Sequence, residues 1–135
     1  MEQNLRELIP GQIAKADEKL NAAKALLRGG FLDDAISRAY YAIFHAASAV
    51  LLSEGMNAES HSALKDLFGL HFIKTGKIER KFGRILNRLK DDRETGDYDI
   101  YAAFDKADAE NSITMAEEFL VTMRRYLTDA HGFRF

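Results

Sequence analysis

The hydrophobic and polar positions of the chain follow the period of α-helices. Apolar residues recur every three or four positions from Ile13 to Leu27 and again from Ile113 to Leu127. The pattern predicts five helices. They cover about residues 4–28 and 32–54, a third segment that starts within 57–60 and ends before Gly76, then 78–93 ahead of Gly96, and a last helix from about Asp105. Pro10 is expected to kink the first helix or to mark its start.

Short connections predict that sequential helices pack antiparallel, which gives an all-α protein with a single domain over residues 1–135. At 47% hydrophobic and 30% charged residues, the composition is that of a globular protein. Cysteine is absent, which excludes disulfides and thiolate metal sites and fits a cytoplasmic location. Charges interrupt every apolar run before it reaches the length of a membrane span, so no membrane association is expected.

The second predicted helix has two distinct faces. The first is apolar and is expected in the core, and it carries Ile36, Tyr40, Ile43, Ala47, Val50 and Leu51. The opposite face carries Arg38, Tyr41, His45, Ser48 and Leu52. Alanines lie beside this second face at positions 39, 42, 46 and 49. Since small residues permit close approach of another backbone, a second packing surface is expected there, with a partner subunit as one possible occupant.

Arg38 and His45 are seven residues apart, so both leave the same helix face, with Tyr41 between them. An arginine fork stabilises charge on a phosphate, and a histidine near neutral pH exchanges protons with an oxygen. Together they suit metal-independent RNA cleavage, in which a 2′-hydroxyl attacks the adjacent phosphate. Two turns separate the residues by about 10.5 Å along the axis. A homodimer that brings one subunit's Arg38 near its partner's His45 therefore makes a better site.

The same residues also allow plainer interpretations. Arg38 is one turn from Asp34 and can form an ordinary helical ion pair, with His45 as a packing residue. In a second alternative the face binds a nucleotide or a partner protein and breaks no bond. In a third it only makes contacts between subunits.

Several segments resemble the HEPN domain family. They are SRAYYAIFHAASAVLL, His61 before a short helix, FIKTGKIER, and Arg93 ahead of Asp97-Tyr98. The resemblance runs from about Leu5 to Tyr126 and is strongest to the small stand-alone bacterial and archaeal branch with the motif RAYYAxFH, the UPF0332-like proteins.

This resemblance implies a four-helix up-and-down bundle with an additional short helix, usually dimeric. Many members are RNases whose motif is an arginine, four to six residues and a histidine, which Arg38 and His45 match with six between them. Active members often carry Asn, Asp or His directly after the arginine, where this chain has Ala39. Stand-alone members are commonly encoded beside a minimal nucleotidyltransferase as a toxin and antitoxin pair, and the family name reflects a proposed nucleotide-binding role.

In relatives, the stretch after the fourth helix lies near the Arg-His face. The resemblance therefore implies supporting roles for Arg93, Asp97 and Tyr98, with Asp97 or Tyr98 orienting Arg38. Tyr41 is expected to orient either Arg38 or His45.

A second candidate surface is the segment from Lys74 to Arg93, which contains eight basic and three acidic residues. Arg80, Arg84 and Arg88 step by four along one helix face and are candidates for binding RNA or an acidic partner, against the alternative of a merely solvated face. The sequence contains no Glu-x-x-His pair and no glycine-rich phosphate loop, so neither a metal site nor a cofactor is predicted.

Overall fold

The computed structural model describes residues 3–100 and 103–135, except for the side chains of Gln3 and Tyr98. Over these ranges the protein is helical and has no β-strand, which confirms the all-α class. The helices are α1 (Gln3–Arg28), α2 (Leu32–Ser53), α3 (His61–Phe68), α4 (Arg80–Tyr98) and α5 (Lys106–His131). A π-helical turn, Gly69–Ile73, directly continues α3.

Local sequence signals explain four of the helix ends. Gly30 and Gly55 follow α1 and α2 with φ angles of 81° and 79°, a conformation that favours glycine at helix C-termini. The Ser60 side chain caps α3 by accepting a hydrogen bond from the backbone of the third helical residue. At the start of α5, Asp105 and Asp108 each accept a hydrogen bond from the other's backbone N–H, which forms a capping box.

Helix α1 begins within one residue of its predicted start and continues on both sides of Pro10, so the alternative that the proline marks the start is excluded. One predicted boundary was wrong. Helix α4 does not end at Arg93 but runs through Gly96 to Tyr98. A Cβ atom at Gly96 would lie 3.2 Å from the ring of Phe104, so this glycine provides room for the Phe104 ring instead of terminating the helix.

Helix α2 lies at the centre of the fold and contacts α1, α3, α4 and α5. From Ala35 to Ser53, all but five residues are buried. The predicted apolar face is confirmed as core, since each of its six members is at most 1% exposed. The prediction of Leu52 on the opposite face, beside Arg38 and His45, was wrong, because Leu52 is 2% exposed and belongs to the core.

The alanines of α2 correct the expectation of a partner subunit at that surface. Those at positions 39, 42, 46 and 49 are all 0% exposed and belong to the core that α2 shares with α1, α4 and α5. Their small side chains therefore accommodate helices of the same chain. Among the described residues, α2 is also the one helix that is long and apolar enough to span a membrane. In its most apolar stretch 72% is buried inside the fold, as expected for a core helix.

The C-terminal tail packs against the start of α1. Arg6 Nη2 donates a hydrogen bond to the carbonyl oxygen of His131 at 2.9 Å. The guanidinium of Arg6 also lies 4.1 Å from the centroid of the Phe133 ring. Residues after α5 are thus part of the fold.

Enlarging a buried alanine of α2 should destabilise the protein. We expect Ala46→Leu to lower the free energy of unfolding by about 1–3 kcal/mol, because the added atoms have no space at a fully buried position. Urea denaturation followed by circular dichroism measures the change. The control is Ala14→Leu on the exposed face of α1, which should change stability by less than about 0.5 kcal/mol. Equal stability of the two variants would contradict the close packing of α2.

Candidate functional site

The five residues of central α2 that escape burial form one strip along the helix, called here the open strip. They are Arg38, Tyr41, Phe44, His45 and Ser48. Arg38 is exposed and the other four are half-buried. The strip is lined on one side by α1 and on the other by α3 and α4, through the contacts described below. Sequence periodicity correctly predicted four of its members.

His45 is held by a residue of α1. Its Nδ1 lies 2.8 Å from Gln12 Oε1. Because a carboxamide oxygen only accepts hydrogen bonds, Nδ1 carries the proton and donates it. The lone pair of the neutral imidazole is then on Nε2. The ring is further fixed by edge-on packing against Phe44, with centroids 5.4 Å apart.

The surroundings of His45 lower its pKa below the usual 6.5. Burial is the main cause, since it disfavours the charged imidazolium, and the positive charges of Lys19 and Lys15 add to it. Glu18 acts in the opposite direction but is the weaker influence. At neutral pH, His45 is therefore mainly in the neutral form, which accepts a proton.

Arg38 forms the opposite end of the open strip and is exposed. In the part of the chain that the structure describes, it makes no hydrogen bond and no ion pair, and the alternative pairing with Asp34 is absent. Its planar fork of donors is thus available for an anion from outside the subunit.

Tyr41 and Asp97 contact Arg93 instead of Arg38. Arg93 Nη2 donates a hydrogen bond to Tyr41 Oη at 2.9 Å, and its Nε lies 3.0 Å from Asp97 Oδ2. Ser37 Oγ donates to the same Asp97 oxygen at 3.4 Å. This network ties α4 to α2 beside the open strip. The orienting roles expected for Tyr41 and Asp97 are not seen within the subunit, and the side chain of Tyr98 lies outside the described part.

His61 has a packing role. Its Nδ1 lies 2.6 Å from Tyr40 Oη, and its ring lies 4.6 Å from that of Phe44 between centroids. Burial raises the pKa of the Tyr40 phenol above its usual value, which keeps it protonated. Burial, together with the charge of Arg93, lowers the pKa of His61 below 6.5, which favours its neutral ring. The pair joins α2 to the start of α3.

Arg80, Arg84 and Arg88, which form the predicted basic stripe along α4, have different surroundings. Arg80 and Arg84 line a cleft of about 460 Å³ between α4 and the segment formed by α3 and its π-helical turn. Arg88 is not among the lining residues and pairs with Asp92, with 3.7 Å between Nε and Oδ2. The stripe is therefore not a uniform surface. Across the described ranges, no group of three or more His, Asp or Glu side chains is arranged to hold a metal ion.

The site geometry can now be compared with known proteins. The family model of the HEPN domain matches residues 12–126, which include the open strip, Gln12 and the Arg93 network. The chain belongs to the HEPN domain family. Within it, the chain is similar to UPF0332 proteins, for example one from Thermotoga maritima that is 36% identical over 115 residues, which are 85% of this chain and 87% of that relative.

Two further relatives of this HEPN protein come from Methanocaldococcus jannaschii, and each is named "Putative toxin". One is 36% identical over 129 residues, which cover 96% of each chain. The other is 32% identical over 127 residues, which are 94% of this chain and 86% of that relative.

Gln12 is a residue of the candidate site that the sequence analysis missed. It is distant in sequence from His45 and belongs to a different helix. A signal was available, because Gln12, Lys15 and Lys19 step by three and four residues along one face of α1. That polar face adjoins the apolar stripe of α1, but only the packing of α1 on α2 reveals that it meets His45.

A carboxylate in place of Gln12 should raise the pKa of His45. In Gln12→Glu a negative charge replaces the carboxamide oxygen beside Nδ1 and stabilises the imidazolium, so we expect the pKa of His45 to rise. An NMR pH titration of the histidine ring signals measures it. Asn21→Asp introduces the same change from amide to carboxylate on an exposed part of α1. It should leave the pKa of His45 as in the wild type. An unchanged pKa in Gln12→Glu would show that Gln12 does not hold the ring.

Proposed function

We propose that this HEPN protein is the toxin of a toxin-antitoxin pair with a minimal nucleotidyltransferase, and that it is a metal-independent endoribonuclease. The observation that carries the activity is the open strip. An unpaired arginine and a neutral histidine with a free Nε2 are retained on a helix that buries 14 of its 22 residues. The names of the two archaeal relatives support the toxin assignment. We expect a cytoplasmic protein.

In the proposed reaction, His45 Nε2 accepts the proton of a ribose 2′-hydroxyl. The 2′-oxygen forms a bond to the adjacent phosphorus, and the bond to the 5′-oxygen of the next nucleotide breaks. The protonated His45 then returns its proton to that leaving oxygen. The products are a 2′,3′-cyclic phosphate and a 5′-hydroxyl end. Arg38 stabilises the negative charge on the phosphate oxygens as the bonds change. No metal or cofactor is required.

The proposed site is composite and needs a homodimer. Along one α2, Arg38 and His45 are separated by about 10.5 Å, which is long for two groups acting on one phosphate. Two copies of α2 that meet antiparallel along their open strips would bring Arg38 of one subunit beside His45 of the other. The half-burial of Tyr41, Phe44 and Ser48 leaves a shallow surface for this contact. In the same proposal α1, α2, α4 and α5 form an up-and-down bundle, and α3 is the additional short helix.

The second candidate function is a non-catalytic module that binds a nucleotide or the partner protein. One observation favours it. Ala39 occupies the position where active family RNases often have a polar residue, and here that position is 0% exposed in the core. In this case, Arg38 and His45 would recognise a bound anion without breaking a bond.

Single substitutions separate the two candidates. We expect purified wild-type protein to cleave single-stranded RNA in the presence of EDTA, and Arg38→Ala or His45→Ala to reduce the rate by about 10²–10⁴-fold. Neither change should affect folding, since Arg38 is exposed and His45 is half-buried. Gel electrophoresis of end-labelled RNA, with detection of the 2′,3′-cyclic phosphate, measures the activity.

The matched controls are Arg28→Ala and His71→Ala, which remove the same residue types from exposed positions elsewhere. Both should cleave like the wild type. Equal cleavage by wild type, Arg38→Ala and His45→Ala would exclude the proposed chemistry. Binding of RNA or nucleotide without cleavage, lost in Arg38→Ala, would support the non-catalytic module instead.

A further inference from the structure

The cleft beside α4 is separate from the open strip and is mostly basic. Lys65 comes from α3, Lys74 follows the π-helical turn, and Arg80 and Arg84 come from the first turns of α4. Asp66 is the one acidic residue among the described lining residues. Four positive charges against one negative charge favour an anionic ligand.

Within the segment from Lys74 to Arg93, the cations that line the cleft are those without an ion pair. In the segment from Lys74 to Arg93, five of the eight basic residues form ion pairs with carboxylates in the described structure: Lys77, Lys81, Arg88, Lys90 and Arg93. The remaining three, Lys74, Arg80 and Arg84, all line the cleft. Lys65 likewise has no ion pair within the described residues. On a basic face that is only solvated, unpaired cations would not be concentrated in one cleft.

The interior of the cleft is apolar but offers no ring for base stacking. Phe68 and Leu86 line it and are 0% and 1% exposed, so neither presents an aromatic face to a base. At Gly83 a Cβ atom would lie 3.2 Å from Ile73 Cγ1, which shows how closely α4 approaches the π-helical turn there. The cleft therefore suits phosphates on the cations, without base recognition.

We propose that this cleft binds the phosphate backbone of single-stranded RNA at a distance from the scissile bond. The inference rests on the proposed function, which takes RNA as the substrate. Arg84 and Arg93 are on the same helix, about 13.5 Å apart along its axis and on opposite sides of it, so a strand that contacts both the cleft and the open strip has to cross α4. Arg80 and Arg84, one turn apart, present planar donor forks that match phosphate oxygens.

The test compares RNA affinities in a His45→Ala background, so that the probe is not consumed. The probe is a fluorescent single-stranded RNA of about twelve nucleotides, within the roughly 4–16 nucleotides that basic grooves cover. We expect Lys74→Ala/Arg84→Ala to weaken binding at least about tenfold in fluorescence anisotropy. The slope of log K against log salt should fall in magnitude by about 1.4, because two phosphate contacts are lost.

The control, Lys81→Ala/Arg125→Ala, removes the same two charges from exposed positions outside the cleft and should bind RNA like its parent. The proposal would be overturned if both double variants bound RNA equally weakly. It would also be overturned if both bound RNA as tightly as their parent. Binding of poly-glutamate with the same affinity and the same sensitivity to the cleft variant would overturn it as well, and would assign the cleft to an acidic protein. If RNA binding depends on the cleft but the wild-type protein does not cleave RNA, this inference stands and the proposed reaction is refuted.

Discussion

The burial of α2 by its own chain is the constraint on which the rest of the structure depends. Alanines on several sides of this helix let α1, α4 and α5 approach closely, and between Ala35 and Ser53 only one strip of side chains remains outside the core. Polar or charged groups can be placed only on that strip without the cost of burying them. The positions of Arg38 and His45 are thus a direct consequence of how the helices enclose α2.

The helices that enclose α2 also determine the chemical state of the strip. Gln12 on α1 fixes the orientation of the His45 ring, and Lys15 and Lys19 on the same face help to keep it neutral. On the other side, Arg93 engages Tyr41 and Asp97. Because these partners are used by Arg93, Arg38 remains free within the described structure. One arginine therefore stabilises the packing of α4 on α2, while the other is available to a ligand.

Much of the fold was predictable, because it rests on helix periodicity and on local capping signals. The stripes of α1 and α5, the core face of α2 and the glycine at its end all follow from positions close together in sequence. The end of α4 was not predictable, since Gly96 is required by Phe104, which lies in the segment before α5.

The candidate site was predicted only in part, for a similar reason. Spacing within one helix identified Arg38, Tyr41 and His45, and the resemblance added Arg93. The partners of these residues come from other helices, so Gln12 was missed and the contact between Asp97 and Arg93 was not predicted. The small residues of α2 correctly indicated close packing, but a sequence does not distinguish a helix of the same chain from one of a partner.

The central claim, that Arg38 and His45 act across two subunits, is tested most directly by mixing two inactive variants. Arg38→Ala and His45→Ala proteins are combined in equal amounts, allowed to exchange subunits and assayed for RNA cleavage. Half of the dimers should then be mixed, and each should hold one intact site, so about a quarter of wild-type activity is expected. A mixture as inactive as its two components would contradict a shared site.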